Sequence, residues 1–178
     1  DGEAAGDLSG YSVSSAGDIN GDGYDDLIIG TPYTDINGDS SGSSYVVFGT
    51  GSAFAATVNL STLNGTNGFR LDGEAAGDLS GLSVSSAGDI NGDGYDDLII
   101  GANYADPNGS NSGSSYVVFG KASAFAPTVN LSTLDGTNGF RLDGVANGDE
   151  SGISVSSAGD INGDGYDDLI IGADGADP

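Results

Sequence analysis

Nine consecutive residues, Asp18-Ile-Asn-Gly-Asp-Gly-Tyr-Asp-Asp26, place oxygen-bearing side chains at positions 1, 3, 5 and 9: Asp18, Asn20, Asp22 and Asp26. Tyr24 at position 7 offers a main-chain carbonyl, and Gly23 at position 6 tolerates the positive φ of a sharp turn. A hard divalent cation such as Ca²⁺ takes about six to eight oxygens, at roughly 2.3–2.6 Å, from carboxylates, amides, carbonyls and water. The stretch recurs unchanged as Asp89–Asp97 and as Asp160–Asp168. It thereby gives the same roles to Asp89, Asn91, Asp93, Tyr95 and Asp97, and to Asp160, Asn162, Asp164, Tyr166 and Asp168. An acidic hairpin turn, for which Asn-Gly and Asp-Gly are ordinary dipeptides, explains one such copy equally well. Three identical copies, each with four Asp in nine residues, would crowd repelling carboxylates for no turn-making reason. One calcium ion per loop, three in the chain, is therefore expected. Asp25, Asp96 and Asp167 at position 8 are expected to point away from the ion, into solvent or behind the ligands. The loop is not an EF-hand, which needs a bidentate Glu at position 12 between two helices. Position 12 here is Ile29, Ile100 or Ile171, and the flanks are strand-like.

The elements that must carry these loops repeat with them. Asp1-Gly-Glu-Ala-Ala-Gly-Asp-Leu-Ser-Gly10 returns as Asp72–Gly81, and a looser copy begins at Asp143, a period of 71 residues. The units are 1–71, 72–142 and a partial 143–178, and the first two agree at 60 of 71 positions. A self-similar chain of this kind is read as an array of one supersecondary unit. Within a unit, Tyr11-Ser-Val-Ser-Ser15 alternates like a short strand. The continuous apolar run Asp26-Leu-Ile-Ile-Gly30 predicts a strand buried on both faces. Thr31–Gly42 is polar, turn-rich and the most divergent segment, and it is the expected place for partner contacts to differ between units. Ser43-Ser-Tyr-Val-Val-Phe48 is β-branched and aromatic between glycines, the clearest strand signal. A connector holding Phe54, then Thr57-Val-Asn-Leu60, leads through Asn64–Gly68 to an outer strand at Phe69–Leu71. No helix is expected beyond a single turn near Ser52–Ala56. Four short strands per unit joined by hairpin-like loops describe an all-β fold of propeller blades, about two and a half of them.

Against 27 acidic residues stand three basic ones, Arg70, Lys121 and Arg141, for a net charge of −24. Three divalent ions would bring that to −18. A chain so acidic repels nucleic acid and anionic membrane surfaces, both of which are bound mainly through Lys and Arg. Nucleic-acid partners and membrane insertion are thus not expected. With neither His nor Cys, the commonest general base and the thiol nucleophile are missing. The paired carboxylates are already accounted for as metal ligands, so no catalytic residue is expected. Asn59, Asn64, Asn108 and Asn130 head glycosylation tripeptides, a pattern common by chance in so Asn- and Ser-rich a chain. Arg70 and Arg141, equivalent by period, are expected to pair with nearby acids.

The segment Ser12–Pro32, with its Gly30-Thr-Pro32 ending, resembles an FG-GAP repeat, the blade unit of the integrin α-subunit head. Gly101-Ala-Asn103 and Gly172-Ala-Asp174 hold the equivalent ending in the other units. Tyr-Val-Val-Phe and Gly-Phe-Arg-Leu-Asp-Gly extend the resemblance over nearly the whole chain, and the near-identical units are also similar to repeat arrays of large secreted bacterial surface proteins. The resemblance implies that the acidic loop joins the first two strands of a blade and binds calcium. The family's Phe-Gly start is replaced by Ser9-Gly10, Ser80-Gly81 and Ser151-Gly152. The expected function is a calcium-stabilised, non-catalytic structural or adhesive repeat module of a secreted or cell-surface protein, with protein or glycan surfaces, or copies of itself, as partners. The alternatives are a protomer of an extracellular filament built from blades, and a propeller attached to an extracellular enzyme.

Overall fold

The computed structural model describes residues 2–177. Each repeat opens with a hairpin wrapped around its acidic loop. In the first, β1 (Ser12–Gly17) runs antiparallel to β2 (Asp26–Thr31), in register from Ser12 opposite Gly30 to Ser15 opposite Leu27. A bulge then sets Gly17 against Asp26, so the loop leaves a locally bent strand. The sheet continues antiparallel through β3 (Ser43–Val47) to β4 (Gly68–Asp72). The second repeat repeats this order with β5 (Ser83–Gly88), β6 (Asp97–Ala102), β7 (Ser114–Val118) and, after β8 (Thr128–Asn130), β9 (Gly139–Asp143). The third contributes a hairpin, β10 (Ser154–Gly159) and β11 (Asp168–Gly172), with the same register and bulge. The fold is all-β, a row of β-propeller blades packed face to face, with antiparallel pairing inside each blade.

The cores lie between blades. Ile28, Val46 and Phe69 of the first meet Val84, Leu98 and Ile100 of the second, while Ile99 and Val117 meet Val155 and Leu169 of the third. Side chains of period two send Leu98 and Ile100 to one neighbour and Ile99 to the other, and all three are fully buried. Complete burial of such a side chain is worth ~1.5–3 kcal/mol. The run Leu27-Ile-Ile29 is identical, yet only Ile28 faces another blade; Leu27 is 54% exposed. Two-sided burial therefore holds for the middle repeat, because it has a blade on each side.

Thr128–Asn130 does not join its own blade. It crosses to the first and pairs parallel with β4, Leu71 opposite Val129, making that sheet five-stranded. Phe125 on the same crossing segment enters the first blade's core beside Phe48 and Phe69. Two one-turn 3₁₀ helices, Leu131–Thr133 after this segment and Leu60–Thr62 at the equivalent place in the first repeat, are each capped by an Asn side chain, and they form rather than the turn expected near Ser52–Ala56. The divergent segment Thr31–Gly42, several of whose side chains are exposed, also bonds to the next repeat. Its carbonyls at Asp39, Ser40 and Ser41 accept from Gly77, Leu79 and Ser80 of the next repeat, and Asn37 donates to the Gly73 carbonyl. Gly81, where the family has its Phe-Gly start, has φ of 88°. Its carbonyl lies where a Cβ on Gly30 of the preceding blade would fall.

Candidate metal centre

Each acidic loop is tied by its own side chains. Asp18 accepts three main-chain N–H bonds, from Gly21 (2.8 Å) and Asp22 (3.0 Å) on Oδ1 and from Gly23 (2.9 Å) on Oδ2. Asn20 Oδ1 accepts from Asp22 N and Asp22 Oδ1 from Tyr24 N. The final carboxylate of the loop closes it, Asp26 Oδ2 accepting from Ile19 N at 3.2 Å and Oδ1 from Gly49 N at 2.7 Å. Asp89, Asn91, Asp93 and Asp97 make the same set, with Gly120 in the place of Gly49. Asp160, Asn162 and Asp164 repeat it again; Asp168 accepts from Ile161 N and takes the Asn162 amide on its other oxygen. The loops turn through Gly21 and Gly23, at φ of 74° and 88°.

Burial divides the carboxylates. Asp26 and Asp97 are fully enclosed at the foot of their hairpins, whereas Asp22, Asp93 and Asp164 are exposed. Burial, with the charges of Asp22 and Asp18 adding to it, pushes the Asp26 carboxyl up to about 6 against the opposing Gly49 and Ile19 N–H bonds. The same causes, with Asp93 and Asp89 as neighbours, push Asp97 up to about 7. Exposed Asp160 is held below the usual carboxylate range by the N–H bonds of Gly165, Gly163 and Asp164.

The loops thus bring each sequence-derived set (Asp18, Asn20, Asp22, Tyr24, Asp26 and their equivalents) onto one short hairpin. Among the described residues, no three acidic side chains are gathered closely enough to hold a metal ion, and the carboxylates are turned onto N–H groups of the loop. The chemistry of the donor set suits a hard cation: three carboxylates, an amide oxygen and the Tyr24 carbonyl, without nitrogen or sulfur donors.

Position 8 points out of its own loop, but in the second and third repeats it ends on the preceding loop rather than in solvent or behind its own ligands. Asp96 Oδ2 accepts from Asp18 N at 2.8 Å, and Asp167 Oδ2 from Asp89 N at 2.9 Å. Each therefore reaches the preceding repeat's loop; Asp25, in the first loop, is exposed. Identical residues take different surroundings according to whether a blade precedes them. Arg70 pairs with Asp72 and Glu3, and Arg141 with Asp143 and Glu74, as expected of locally paired cations. The glycosylation-type asparagines have structural partners: Asn59 and Asn130 cap the 3₁₀ turns, Asn64 accepts from Thr66, and Asn108 donates to the Gly144 carbonyl. No helix among the described residues is long and apolar enough to cross a membrane.

Comparison with known proteins agrees with these blades. The chain is 34% identical over 99% of its length to integrin alpha-PS5 of Drosophila melanogaster. It is 32% identical over 99% to integrin alpha-PS2 of the same fly, and 30% identical over 97% to integrin alpha-6 of Gallus gallus. It spans only 16%, 12% and 14% of those three proteins. The FG-GAP repeat model matches residues 9–47, 80–118 and 151–178, which in every unit contain the first hairpin and its acidic loop. Three matched hairpins with one shared register, together more than half of the sequence, place this chain in the FG-GAP repeat family.

Proposed function

We propose that the chain is a calcium-stabilised, non-catalytic structural and adhesive module of a secreted or cell-surface protein, each blade taking one Ca²⁺ in its acidic loop. The observation that carries this reading is the buried Asp26 and Asp97, each at the foot of a loop that already holds two further carboxylates and an amide oxygen. Enclosing a carboxylate beside others of its kind is unfavourable, and a divalent cation offsets that cost. Asp18, Asn20, Asp22, Asp26 and the Tyr24 carbonyl would hold the ion in the first loop. Asp89, Asn91, Asp93, Asp97 and Tyr95, and Asp160, Asn162, Asp164, Asp168 and Tyr166, would do so in the others. The ion would fasten the hairpin joining two strands of a blade and supplies no reaction. The likeness to integrin alpha subunits supports a role in adhesion, with protein or glycan surfaces as partners.

Thermal unfolding with millimolar calcium and with excess chelator tests this. Calcium should raise the midpoint, and Asp22→Ala should lower it in calcium while changing little in chelator. A midpoint indifferent to calcium and chelator would remove the metal from the reading.

A second reading, assembly through blade faces, is favoured by one comparison within the chain. Val13, Leu27 and Phe54 are 65%, 54% and 57% exposed, while their period mates Val84, Leu98 and Phe125 are 5%, 0% and 5% exposed against the preceding blade. The first three line an open groove of about 470 Å³. A face built like one that is buried elsewhere in the chain suits another blade, of the same polypeptide or of a second copy. Sedimentation velocity across protein concentrations, with Leu27→Lys as control, tests the second-copy case; a monomer throughout would refute it.

A further inference from the structure

We infer that Asp96 and Asp167 are coupling residues that link neighbouring acidic loops, so that an ion held by one loop strengthens the hold of the next on its own. The inference rests on the calcium reading above and concerns how the sites act on one another.

Asp96 stands between two groups assigned as ligands in its own loop, the Tyr95 carbonyl and the Asp97 carboxylate. Its own side chain leaves that loop. The carboxylate accepts the N–H of Asp18, the first ligand of the preceding loop, at 2.8 Å, and the Asp96 N–H returns a longer bond to the Asp18 carbonyl at 3.4 Å. The main chain of Asp18 is thus gripped on both sides by one residue of the next repeat. The fit is close: a Cβ on Gly17 would fall on the Asp96 carboxylate, and one on Gly21 would fall on the Tyr95 ring. The same arrangement recurs one period later, where Asp167 grips Asp89 through bonds of 2.9 and 3.2 Å beside Gly88 and Gly92.

A second path joins the same two loops through the strand end. Asp97 Oδ1 accepts from Gly120 N at 2.8 Å, and the next residue, Lys121, donates its N–H to the Ile19 carbonyl at 2.9 Å. Ile19 N in turn donates to Asp26 Oδ2 at 3.2 Å. The closing carboxylate of the second loop is connected to that of the first by consecutive hydrogen bonds. An ion in the second loop must order Tyr95, Asp96 and Asp97 together. Ordering them sets the grip on Asp18 before the first loop binds, so the second binding event orders fewer groups and is stronger.

Calcium titration calorimetry of the 178-residue chain tests this, with the double variant Asp96→Ala and Asp167→Ala beside Asp25→Ala. Asp25 holds the same place in its loop but is exposed, so its removal reports any effect of position 8 on its own site. The unaltered chain should bind cooperatively. The double variant should bind with a Hill slope of 1 and an overall affinity weaker by roughly 5-fold or more, and Asp25→Ala should follow the unaltered chain. Asp96→Asn with Asp167→Asn keeps an acceptor oxygen and should retain most of the cooperativity; it also serves should the alanine pair not fold. Binding with a slope of 1 in the unaltered chain, or equal losses in the Asp25 and double variants, would overturn the coupling while leaving calcium binding intact. A chain that binds no calcium would overturn the metal reading, and the coupling with it.

Discussion

Phe125 lies flat on Phe69, ring centroids 4.3 Å apart and planes 3° from parallel, although the two rings come from consecutive repeats. Phe48 closes the cluster at 5.9 and 6.1 Å, and the Lys121 ammonium sits 4.7 Å above the Phe125 ring. The segment that carries Phe125 also delivers β8 to the edge of the first blade, so one connector both fills that core and extends its sheet. Phe125→Ala should therefore destabilise by ~3–5 kcal/mol, the usual cost of removing a core phenylalanine. Phe54→Ala, at the equivalent but 57% exposed place, should cost well under half as much. Urea midpoints of the two variants check this; equal losses would mean that the crossing contributes nothing special.

Glycine is required where blade backbones touch. A Cβ on Gly101 would fall on the Gly152 carbonyl of the next blade, while at Gly172 the nearest heavy atom to a Cβ is at 3.4 Å. None of this depends on φ, since neither residue is in the left-handed region. Gly101→Ala should force the second and third blades apart, costing ~1–3 kcal/mol or more by overpacking. Gly172→Ala should be tolerated within about 0.5 kcal/mol, as surface-like changes are. Denaturant unfolding of both variants decides the matter.

Three buried carboxyls set a pH dependence for the calcium-free chain. Burial is the leading cause of the rise to about 6 at Asp26 and Asp78 and to about 7 at Asp97. Glu74 and Asp106 add to it at Asp78, opposed by the Ala75 N–H and Arg141. Each folded value lies above the unfolded one near 3.8, so the folded chain keeps protons that the unfolded chain releases. Their stabilising contribution is complete below about pH 4 and is lost as pH rises through the folded values, between about 6 and 7. In chelator, the urea midpoint should fall from pH 5 to pH 8. Asp78→Asn, whose amide oxygen can keep the 3.1 Å bond from Ala75 N, should flatten part of that slope. A midpoint that rises over this range would contradict the assignment.

Much of this architecture was legible from periodicity. The 71-residue period, the hairpin around each acidic loop and the central Tyr-Val-Val strand follow from patterns that identical units repeat. What sequence cannot give is the neighbour. Thr57-Val-Asn59 and Thr128-Val-Asn130 are the same tripeptide, yet among the described residues only the second forms a strand, lying along β4 of the preceding blade. Asp25 and Asp96 occupy identical nonapeptides, and one is exposed while the other grips Asp18. Leu27 and Leu98 differ in the same way. In a repeat array the stability of a unit includes the interface with the next, so identical residues are not equivalent in energy.

Glu74 provides the remaining prediction. Its Oε2 accepts from the Tyr116 hydroxyl and from Arg141 Nη1, both at 2.8 Å, while Arg141 also pairs with Asp143. Tyr116 is only 1% exposed, and burial together with this bond raises its hydroxyl above the ordinary tyrosine value, so it remains a donor at any working pH. Tyr116→Phe removes the donor and should cost about 0.5–1.5 kcal/mol. Glu74→Ala leaves a buried hydroxyl without its acceptor and should cost about 1–3 kcal/mol. Because both changes break one bond, the double variant should cost less than the sum of the two, by at least about 0.5 kcal/mol. A double-mutant cycle from urea unfolding reads that difference directly. Strict additivity would show that the hydroxyl finds another partner when Glu74 is gone.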